Sequence, residues 1–596
     1  MNSKNTWLWL VVAAGLFLVI CLLNRHPWAA PSAASQGWPD FPFASATSVQ
    51  VIPPNSLEIR VDRTNGNWFL SKPLTYPAQT AGIQALLDSL AKLKPVTRIT
   101  ASELRQQPTA EQDYGFDKPA LSLVIEAPGQ QWQLKVGRCT APGDQVFLRV
   151  VGVDGAFVTD SAWLKYLPLK SVADWRETSL VNDSGSYDAI VLTNGAKIIE
   201  LHLDSTNHLW RMTRPLQARA DSDRINRALQ QLRSARVAQF VTDDPQADLS
   251  AYELQPPSLN LWLGRAGSFT EGLHTGKTPT NEPTLVYAKR EGWNGVIATL
   301  KEPMSPWHGS VNDFRNAHLL DLTTPINEVE LRTADGSDHF ILQRLGSNTW
   351  HVAGETFPVD TDGVQDFLKM LGNLKATNFV KDVVTAPDLQ AYGLTKPALQ
   401  ITFRPVAGDT NQILTQLAFS VPQTNGVYVR RSDEDCIYAL DPADLNRIPA
   451  LGCEFRARRI WNVPEQDIAS LTVHQNGQTR QILHNARNIW VMAPGSPGQV
   501  FGPNIEEAAH QLGDLTALGW VGHRITNPAV FGVTTNSLQV VLELKNGQKH
   551  ALDFGAPILD QPLALVTLDG DRWAFVVPAS LYQYVVSFLT ISPNGS

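Results

Sequence analysis

A tryptophan that follows a polar turn recurs along this chain at an almost constant interval. It stands at Trp68, Trp210, Trp350 and Trp490, so that successive spacings are 142, 140 and 140 residues. Two further landmarks keep the same period. The second is an aromatic turn 41 to 46 residues after each tryptophan: Tyr114-Gly115-Phe116, Tyr252-Glu253-Leu254, Tyr392-Gly393-Leu394 and Phe531-Gly532-Val533. The third closes the period: Asp174-Trp175-Arg176, Asp313-Phe314-Arg315 and Glu454-Phe455-Arg456. The sequence therefore predicts tandem copies of one unit.

Each period has the same coarse pattern of strands and helix. Hairpin turns are indicated at Asn194-Gly195, Asp335-Gly336 and Asn476-Gly477. An amphipathic helix follows, and in the third period its apolar face carries Val364, Phe367, Leu368, Leu371 and Leu374. In the second period the helix begins at Asp221 or Ser222, with Ile225, Leu229 and Leu232 facing inwards. Alternating strands and a short terminal helix complete the unit.

The predicted fold class is α+β, with four tandem repeats after an N-terminal transmembrane helix. A length of 596 residues agrees with about four domains. Each repeat is expected to be an antiparallel sheet of hairpins covered by one amphipathic helix. The predicted boundaries are 1–26 for the anchor, 27–47 for a tether rich in Pro, Ala and Ser, 48–184, 185–323 and 324–463 for repeats 1 to 3, and 464–596 for a shortened repeat 4.

The landmarks have structural interpretations. Each repeated tryptophan is expected to fill the core between sheet and helix. The Tyr-Gly-Leu landmark is expected to be a fixed turn, because glycine permits positive φ. For the closing landmark two interpretations remain: an arginine clamp for an anionic ligand, or an aromatic lock between adjacent repeats that has its own ion pair.

Residues 7–23 form an apolar run without a charge, bounded by Lys4 and Arg25. Seventeen residues is near the lower limit for a helix that spans a bilayer, so an uncleaved anchor is expected, with a cleaved signal peptide as the alternative. The short N-terminus should stay in the cytoplasm. The predicted location is the bacterial inner membrane, as a single-pass protein whose C-terminal bulk is periplasmic or otherwise extracytoplasmic.

Composition excludes several function classes. The chain is 43% hydrophobic and 18% charged, unlike a disordered or multi-pass membrane protein. A net charge of -8 disfavours nucleic-acid binding. Four cysteines do not form a disulfide scaffold; Cys436 and Cys453 either pair in an oxidising compartment or remain reduced thiols.

The sequence contains no convincing catalytic, metal-binding or nucleotide-binding motif. The run from Gly272 to Thr278 imitates a phosphate-binding loop, but only three residues separate its glycines where four are required, and the repeat pattern predicts an ordinary strand–strand loop there. His202 and His208 bracket a predicted hairpin and could at most form a weak metal site. Acidic pairs such as Asp243-Asp244 occur in predicted turns, where aspartate is common. The sequence predicts no catalytic, cofactor-binding or metal-ligating residue and no nucleotide binding.

The order of hairpin, Trp strand, Leu-rich helix, Tyr-Gly-Leu-x-x-Pro turn, paired strands and Phe-Arg resembles a bacterial family, the domain of unknown function 4340. The resemblance is clearest from Trp350 to Phe455 and from Trp210 to Phe314, and would cover residues 48 to 592. Repeat 4 departs from it, since Phe531 replaces the tyrosine and the closing Phe-Arg is missing. The resemblance implies an envelope protein that accompanies ABC transporters of the gliding-motility type. It implies no catalytic residue.

Three functions follow as hypotheses. The first is a non-enzymatic scaffold or accessory subunit of an ABC-type export or gliding-motility-like system, in complex with the transporter permease, the ATPase and other accessory subunits. The second is a module that binds envelope glycan or another polymer through tandem weak sites. The third is a hydrolase with its site between repeats.

Overall fold

The computed structural model describes residues 38–54, 56–168, 171–181, 186–320, 325–334, 339–346, 348–405, 413–424 and 426–590. These residues form two compact units, divided between Phe314 and Arg315. Each unit contains two large antiparallel sheets, which we number 1 to 4 along the chain. The α+β class is therefore confirmed.

Sheets 1 and 2 belong to the first unit and have nine strands each. The strands of sheet 1 are β1 (Ser48–Ile52), β2 (Ile59–Thr64), β3 (Asn67–Lys72), β4 (Tyr76–Pro77), β5 (Pro95–Ile99), β6 (Leu121–Ala127), β7 (Gln130–Cys139), β8 (Gln145–Val150) and β9 (Ala156–Asp160). The strands of sheet 2 are β10 (Ala189–Asn194), β11 (Lys197–Leu203), β12 (Trp210–Arg214), β13 (Ala218–Arg219), β14 (Val237–Thr242), β15 (Leu259–Arg265), β16 (Ser268–Thr275), β17 (Leu285–Arg290) and β18 (Val296–Leu300).

Sheets 3 and 4 belong to the second unit and have eight strands each, beside a two-stranded pair of β27 and β31. The strands of sheet 3 are β19 (Ile326–Thr333), β20 (His339–Arg344), β21 (Trp350–Val352), β22 (Asn378–Lys381), β23 (Leu399–Pro405), β24 (Thr415–Phe419), β25 (Val427–Arg431) and β26 (Ile437–Leu440). The remaining strands are β27 (Arg459–Asn462), β28 (Ile468–Gln475), β29 (Gln478–His484), β30 (Trp490–Met492), β31 (Asp514–Thr516), β32 (Gly519–Gly522), β33 (Gln539–Leu544), β34 (Lys549–Phe554), β35 (Leu563–Leu568) and β36 (Asp571–Val576).

One α-helix crosses each sheet. The helices are α1 (Thr80–Ala91), α2 (Ala101–Gln106), α3 (Ala110–Asp113), α4 (Ser222–Ser234), α5 (Thr361–Gly372), α6 (Ala386–Ala391), α7 (Pro442–Leu445), α8 (Gly502–Gly513) and α9 (Ala579–Tyr584). The crossing helices are α1, α4, α5 and α8.

In sheet 1 the order of the strands is β4-β3-β2-β1-β6-β7-β8-β9-β5. Because α1 joins β4 at one edge to β5 at the other, it must run across the face of the sheet.

Sheet 2 repeats this order in full, and sheets 3 and 4 repeat it without a counterpart of β4 among the described residues. The strand after the long helix lies at the far edge in sheets 1 to 3, whereas in sheet 4 the far edge is β32, and β31, which directly follows α8, pairs with β27. The apolar side of each helix is buried, as predicted: Ile225, Leu229 and Leu232 on α4, and Val364, Phe367 and Leu371 on α5. Leu374 is also buried, although α5 ends before it. Burying one such side chain stabilises the fold by about 1.5–3 kcal/mol.

The four landmark tryptophans lie in these cores, as the spacing predicts. Trp68 and Trp210 are 1% and 2% exposed, and Trp350 and Trp490 are each 5% exposed. Trp210 contacts its crossing helix directly, since its indole N–H donates to Asn226 on α4 at 3.0 Å. The predicted hairpins are present at Asn194-Gly195 and Asn476-Gly477, where strands β10 and β11, and β28 and β29, pair up to the turn. The Asp335-Gly336 turn lies outside the described residues.

The predicted tether is wrong for its last ten residues. Residues 38–47 pack against sheet 1 because they are rich in aromatic side chains: Phe41 and Phe43 are buried, and the Trp38 ring meets the Trp132 ring edge to face at 5.9 Å. The rest of the tether and the predicted anchor, residues 7–23, lie outside the described residues. Among the residues that are described, no helix is long and apolar enough to cross a membrane.

Candidate functional site

The closing landmark is the most distinctive arrangement of polar side chains in the first unit. Its three residues have separate tasks. Asp174 caps its own short helical turn, because the Ser171 amide donates to Asp174 Oδ2 at 3.2 Å. Trp175 is buried in the core of sheet 1, where its indole N–H donates to the Tyr166 carbonyl at 3.0 Å. Arg176 points away from this core.

The Arg176 side chain extends from sheet 1 to sheet 2. Its guanidinium donates twice to Asp243, to Oδ1 at 2.6 Å and to Oδ2 at 3.1 Å. Its carbon Cζ lies 3.6 Å from the centre of the Phe240 ring on β14. The arginine side chain is 3% exposed and the aspartate 42%. The pair therefore lies at the rim of a buried aromatic contact.

The second unit uses the same two contacts. Arg315 donates to Asp382 at 2.6 Å and lies 3.8 Å from the centre of the Phe379 ring on β22. Both positions are 139 residues after their counterparts, Asp243 and Phe240. Since protein groups already occupy these guanidinium groups, the aromatic lock with an ion pair is the interpretation that fits, and the anion clamp is not.

Arg456 departs from the pattern in its acidic partner. It lies 5.4 Å from Trp520, the counterpart of Phe379, and 4.2 Å from Trp573. The position of the aspartate is taken by His523, and Arg456 instead donates to Asp569 at 3.3 Å. Arg456 thus keeps the contact with an aromatic ring, but its acidic partner stands at a different position in the sequence.

Main-chain hydrogen bonds follow each arginine. The Val237 amide, at the start of β14, donates to the Thr178 carbonyl at 2.7 Å. Two other pairs repeat this bond at 2.8 Å, from Ala376 to Ala317 and from Ala517 to Arg458. In the last case the contact continues as the β27–β31 pair. The segment after each closing landmark thus adds to the strand that follows a long helix.

A second arginine supports the junction, and the sequence interpretation missed it. Arg290 on β17 donates to the Ser179 carbonyl at 2.6 Å and to the Tyr76 hydroxyl. Arg431 on β25 donates likewise to the Leu319 carbonyl. The signal was available, since Arg149, Arg290, Arg431 and Arg572 are spaced by 141 residues. It was overlooked because a single arginine among strand residues has no local signature.

A cleft of about 700 Å³ lies between sheets 1 and 2. The rings of Phe69 and Trp293 stack on its wall, with centres 6.5 Å apart and planes inclined by 24°. Three carboxylates also line it: Glu177, Glu271 and Glu291. Glu177 accepts from the Ser179 amide at 2.7 Å, and Glu291 contacts His274 at 3.0 Å. Aromatic rings beside carboxylates can hold a polar ligand such as a sugar.

One of these carboxylates, Glu271, forms a hydrogen bond with the buried Tyr187. Burial raises the pKa of the Tyr187 phenol well above its usual value, and the Glu271 charge and hydrogen bond act in the same direction. The phenol is therefore a neutral hydrogen-bond donor at neutral pH. It can hold the carboxylate in place but cannot act as a base there.

A second cleft, of about 460 Å³, lies between sheets 3 and 4. Arg524 donates to both carboxylate oxygens of Glu355, at 3.1 and 2.9 Å. His523 contacts Asp571 at 3.1 Å and stacks on Trp573, with ring centres 3.8 Å apart. The Arg524–Glu355 pair joins the two sheets, whereas His523 and Asp571 both lie on the side of sheet 4.

The phosphate-loop imitation and the two hairpin histidines lie in regular strands and turns. The phosphate-loop imitation is in part a strand, not a loop as predicted, because β16 extends to Thr275. His202 pairs with Arg211 across β11 and β12, and His208 lies in the turn between them. Within the described ranges no cluster of three or more His, Cys, Asp or Glu side chains could hold a metal ion.

Cys436 and Cys453 are both buried and form no disulfide with each other, so the reduced alternative applies. Arg315 donates to Cys436 Sγ at 3.3 Å. Burial nevertheless raises the pKa of the Cys436 thiol to about 11. Its thiol therefore carries a proton at neutral pH and is not a nucleophile.

Comparison with known proteins gives one family. The model of DUF4340, a domain of unknown function, matches residues 68–194, 210–397 and 350–534. No curated protein matches the sequence. The matched segments contain the landmark tryptophans, the turns and the junction arginines described above, in tandem and over more than half of the chain. The chain therefore belongs to the DUF4340 family.

Proposed function

We propose that this protein is a non-enzymatic, membrane-anchored extracytoplasmic scaffold, an accessory subunit of an ABC-type export or gliding-motility-like system. The observation that carries the proposal is the junction. Within each unit, polar side chains that could perform chemistry are instead used to join sheets, as Arg176 joins Asp243 and Arg524 joins Glu355. This use of polar side chains favours a structural role, in which the sheets are held in place, over a catalytic role.

The proposal includes four copies of one unit, with the boundaries given above. Its support is the common strand order of the four sheets and the recurrence of landmarks at one period. Tandem units that share a fold present related surfaces to a partner, which suits a scaffold. The expected partners are a transporter permease and its ATPase, with other accessory subunits.

Affinity purification tests the partner. The full chain, tagged at its C-terminus, is isolated from membranes in mild detergent and the bound proteins are identified by mass spectrometry. The permease and the ATPase should be recovered in proportion to the tagged chain. A tagged unrelated single-pass protein serves as the control. Recovery of no transporter subunit in excess of this control would refute the proposed partnership.

Alkaline extraction tests the anchor. Membranes that contain the full chain are washed with carbonate, which removes peripheral proteins but not transmembrane helices. Because residues 7–23 have no charge, the full chain should remain in the pellet. A variant that lacks residues 1–26 should appear in the wash. Release of the full chain would contradict an uncleaved anchor.

The cleft between sheets 1 and 2 supports a second candidate, the binding of envelope glycan. The stacked pair Phe69 and Trp293 offers an aromatic surface beside Glu177, Glu271 and Glu291, and the landmark tryptophans do not compete for this role because they are buried. A pull-down with isolated cell wall should retain the full chain and lose the Trp293→Ala variant. Equal retention of both would remove the cleft from consideration, and retention of neither would end this candidate.

A further inference from the structure

The cleft between sheets 1 and 2 has one wall that is a single row of side chains across sheet 1. Phe69 pairs with Pro77 across strands β3 and β4. The bridge between Ala78 and Arg176 extends the row by one strand. It places Glu177 opposite Pro77, and the Glu177 amide donates to the Pro77 carbonyl at 2.9 Å. Directly opposite side chains share one face of a sheet. Phe69 and Glu177 therefore lie on the same wall, about 10 Å apart, since neighbouring strands are about 4.8 Å apart.

The other wall comes from sheet 2, mainly from the turn between β17 and β18. The Glu291 amide donates to the Gly272 carbonyl on β16 at 2.8 Å and fixes this turn. Gly272 leaves room for the turn, because a Cβ there would lie 2.8 Å from the Glu291 Cβ. The Trp293 ring then lies 6.5 Å from the Phe69 ring and 5.7 Å from the Tyr76 ring. Each sheet thus gives the cleft one aromatic ring and at least one carboxylate.

Two of the carboxylates are positioned without a cation of fixed charge. Glu177 accepts from the Ser179 main-chain amide at 2.7 Å. Glu291 contacts His274 at 3.0 Å, and its side chain is 53% exposed. Among the residues that the structure describes, neither carboxylate forms an ion pair with a lysine or an arginine. Carboxylates on the walls of a cleft attract cations more strongly than the same groups on an open surface.

Two arginines also line the cleft, but their guanidinium groups are directed at the protein. Arg290 donates to the Ser179 carbonyl at 2.6 Å and to the Tyr76 hydroxyl, both in the junction. Arg265 donates to the Ser186 carbonyl at 3.2 Å. Three carboxylates against two guanidinium groups leave the lining of the cleft negative. A cationic ligand is therefore favoured over an anionic one.

The side chains of the cleft are not part of the common repeat. The residue after the landmark tryptophan is Phe69 in sheet 1, but Arg211, His351 and Val491 in the other sheets. The residue after the junction arginine is Glu177 in the first case, but Asn316 and Ala457 in the next two. Trp293 stands three residues after Arg290, where Glu434 stands after Arg431. Since the fold is repeated without these side chains, their combination in one cleft favours a role in binding.

We propose that this cleft binds an amino sugar with a free amine, which carries a positive charge, with the ammonium group at Glu177 or Glu291 and the C–H face of the sugar on the Trp293 ring. Aromatic rings attract cations through their faces and also supply apolar area. A volume of about 700 Å³ is typical of a site for a small ligand. An N-acetylated sugar is neutral and gains nothing from the carboxylates. This inference rests on the second candidate function, glycan binding, and names the class of sugar.

Two oligosaccharides of equal length test the choice of sugar. The full chain, purified in detergent, is titrated in a calorimeter with the tetramer of glucosamine and with the tetramer of N-acetylglucosamine, at mildly acidic pH and low salt. The charged tetramer should bind at least about tenfold more tightly. Its binding should also weaken as salt is added, because salt screens the carboxylates. Equal affinity for the two tetramers would overturn the proposal.

A double variant locates the site. Glu177→Gln combined with Glu291→Gln removes two charges, while each amide oxygen can still accept the hydrogen bond that the carboxylate accepts. Affinity for the glucosamine tetramer should fall at least about tenfold. Glu302→Gln, a change at an exposed glutamate of the same unit outside the cleft, is the matched control and should leave the affinity unchanged. Wild-type affinity in the double variant would remove this cleft as the site.

The remaining outcomes separate this inference from the function on which it rests. If pentalysine binds as tightly as the glucosamine tetramer, the cleft recognises charge alone and the assignment to a sugar is overturned. If isolated cell wall retains the wild-type chain but the glucosamine tetramer does not bind, only the class of sugar is refuted. If neither the wall nor a tetramer is bound, glycan binding itself is refuted together with this inference.

Discussion

At the scale of the residue, the aromatic turn shows how one backbone angle explains a repeated landmark. Gly115, Gly393 and Gly532 have φ of +76°, +68° and +75°. The equivalent residue in sheet 2 is Glu253, with φ of +54°. A residue with a Cβ atom pays roughly 1–2 kcal/mol in this region. We therefore expect Glu253→Gly to stabilise its turn and Gly393→Ala to destabilise its turn by about 1 kcal/mol.

Hydrogen exchange of the peptides that contain the two turns measures both effects. Gly393 is the suitable site for the alanine substitution because a Cβ there would meet no atom closer than 3.4 Å. The substitution therefore tests the effect of the positive φ alone. At Gly532 a Cβ would lie 2.5 Å from the Ala556 side chain, and an alanine there would test a collision as well. Faster exchange after Glu253→Gly would contradict the assignment of strain to this residue.

Thiol chemistry gives a second prediction at this scale. Because burial raises the pKa of Cys436 to about 11, only about a thousandth of this thiol is ionised at pH 8. Iodoacetamide at pH 8 should modify exposed Cys139 first and leave Cys436 intact until the chain is unfolded. Mass spectrometry of the digested protein compares the two sites directly. Equal modification rates in the native protein would disprove the protected state of Cys436.

The same shift fixes the sign of the pH dependence. The folded protein holds the Cys436 proton more tightly than the unfolded chain, whose thiol titrates near about 8.5. The stabilising contribution is therefore complete below about pH 8.5 and is lost as the pH rises towards 11. A Cys436→Ala variant should lose less stability between these pH values than the wild-type protein.

At the scale of the element, helix caps decide where the crossing helices begin. Asp360 accepts from the Gly363 amide at 3.0 Å and caps α5. Asp360→Ala should lower the stability of sheet 3 by about 1 kcal/mol, because an amide of the first turn loses its acceptor. Asp362→Ala, two residues later in the same helical turn, is the matched control and should cost less. Thermal unfolding followed by circular dichroism ranks the two variants, and a reversed order would contradict the role of the cap.

The elements also show what local sequence predicts and what it cannot. Helix α4 begins at Ser222 after the predicted cap Asp221, since cap and apolar face are both local signals. The turn Asn476-Gly477 has positive φ at both residues, as its dipeptide predicts. The placement of β14 at the far edge of sheet 2 was not predictable, because its pairing with β18 joins residues about 60 positions apart. The sequence predicted an ion pair for Arg176 but could not identify Asp243 as its partner, because the two residues are also far apart in the chain.

At the scale of the whole molecule, the junction between sheets 1 and 2 combines a buried cation with a half-exposed anion. Arg176 is 3% exposed, so its desolvation is expensive, and Asp243 offsets that cost at the rim. Removal of the aspartate alone leaves an unpaired buried charge. Removal of both charges leaves an apolar contact with Phe240. Removal of Asp243 alone should therefore destabilise the junction, whereas removal of Arg176 as well should restore part of the lost stability.

This asymmetry gives a prediction for the first unit. Asp243→Ala should destabilise the contact between sheets 1 and 2 by roughly 1–3 kcal/mol, less than for a fully buried pair because solvent screens the aspartate. Addition of Arg176→Met to this variant should recover most of the loss, since methionine keeps the contact with Phe240 without a charge. Urea unfolding monitored by hydrogen exchange in β4 and β14 measures the coupling. If the double variant is less stable than Asp243→Ala alone, the guanidinium contributes through its packing and main-chain neighbours, and the junction is held by shape more than by charge.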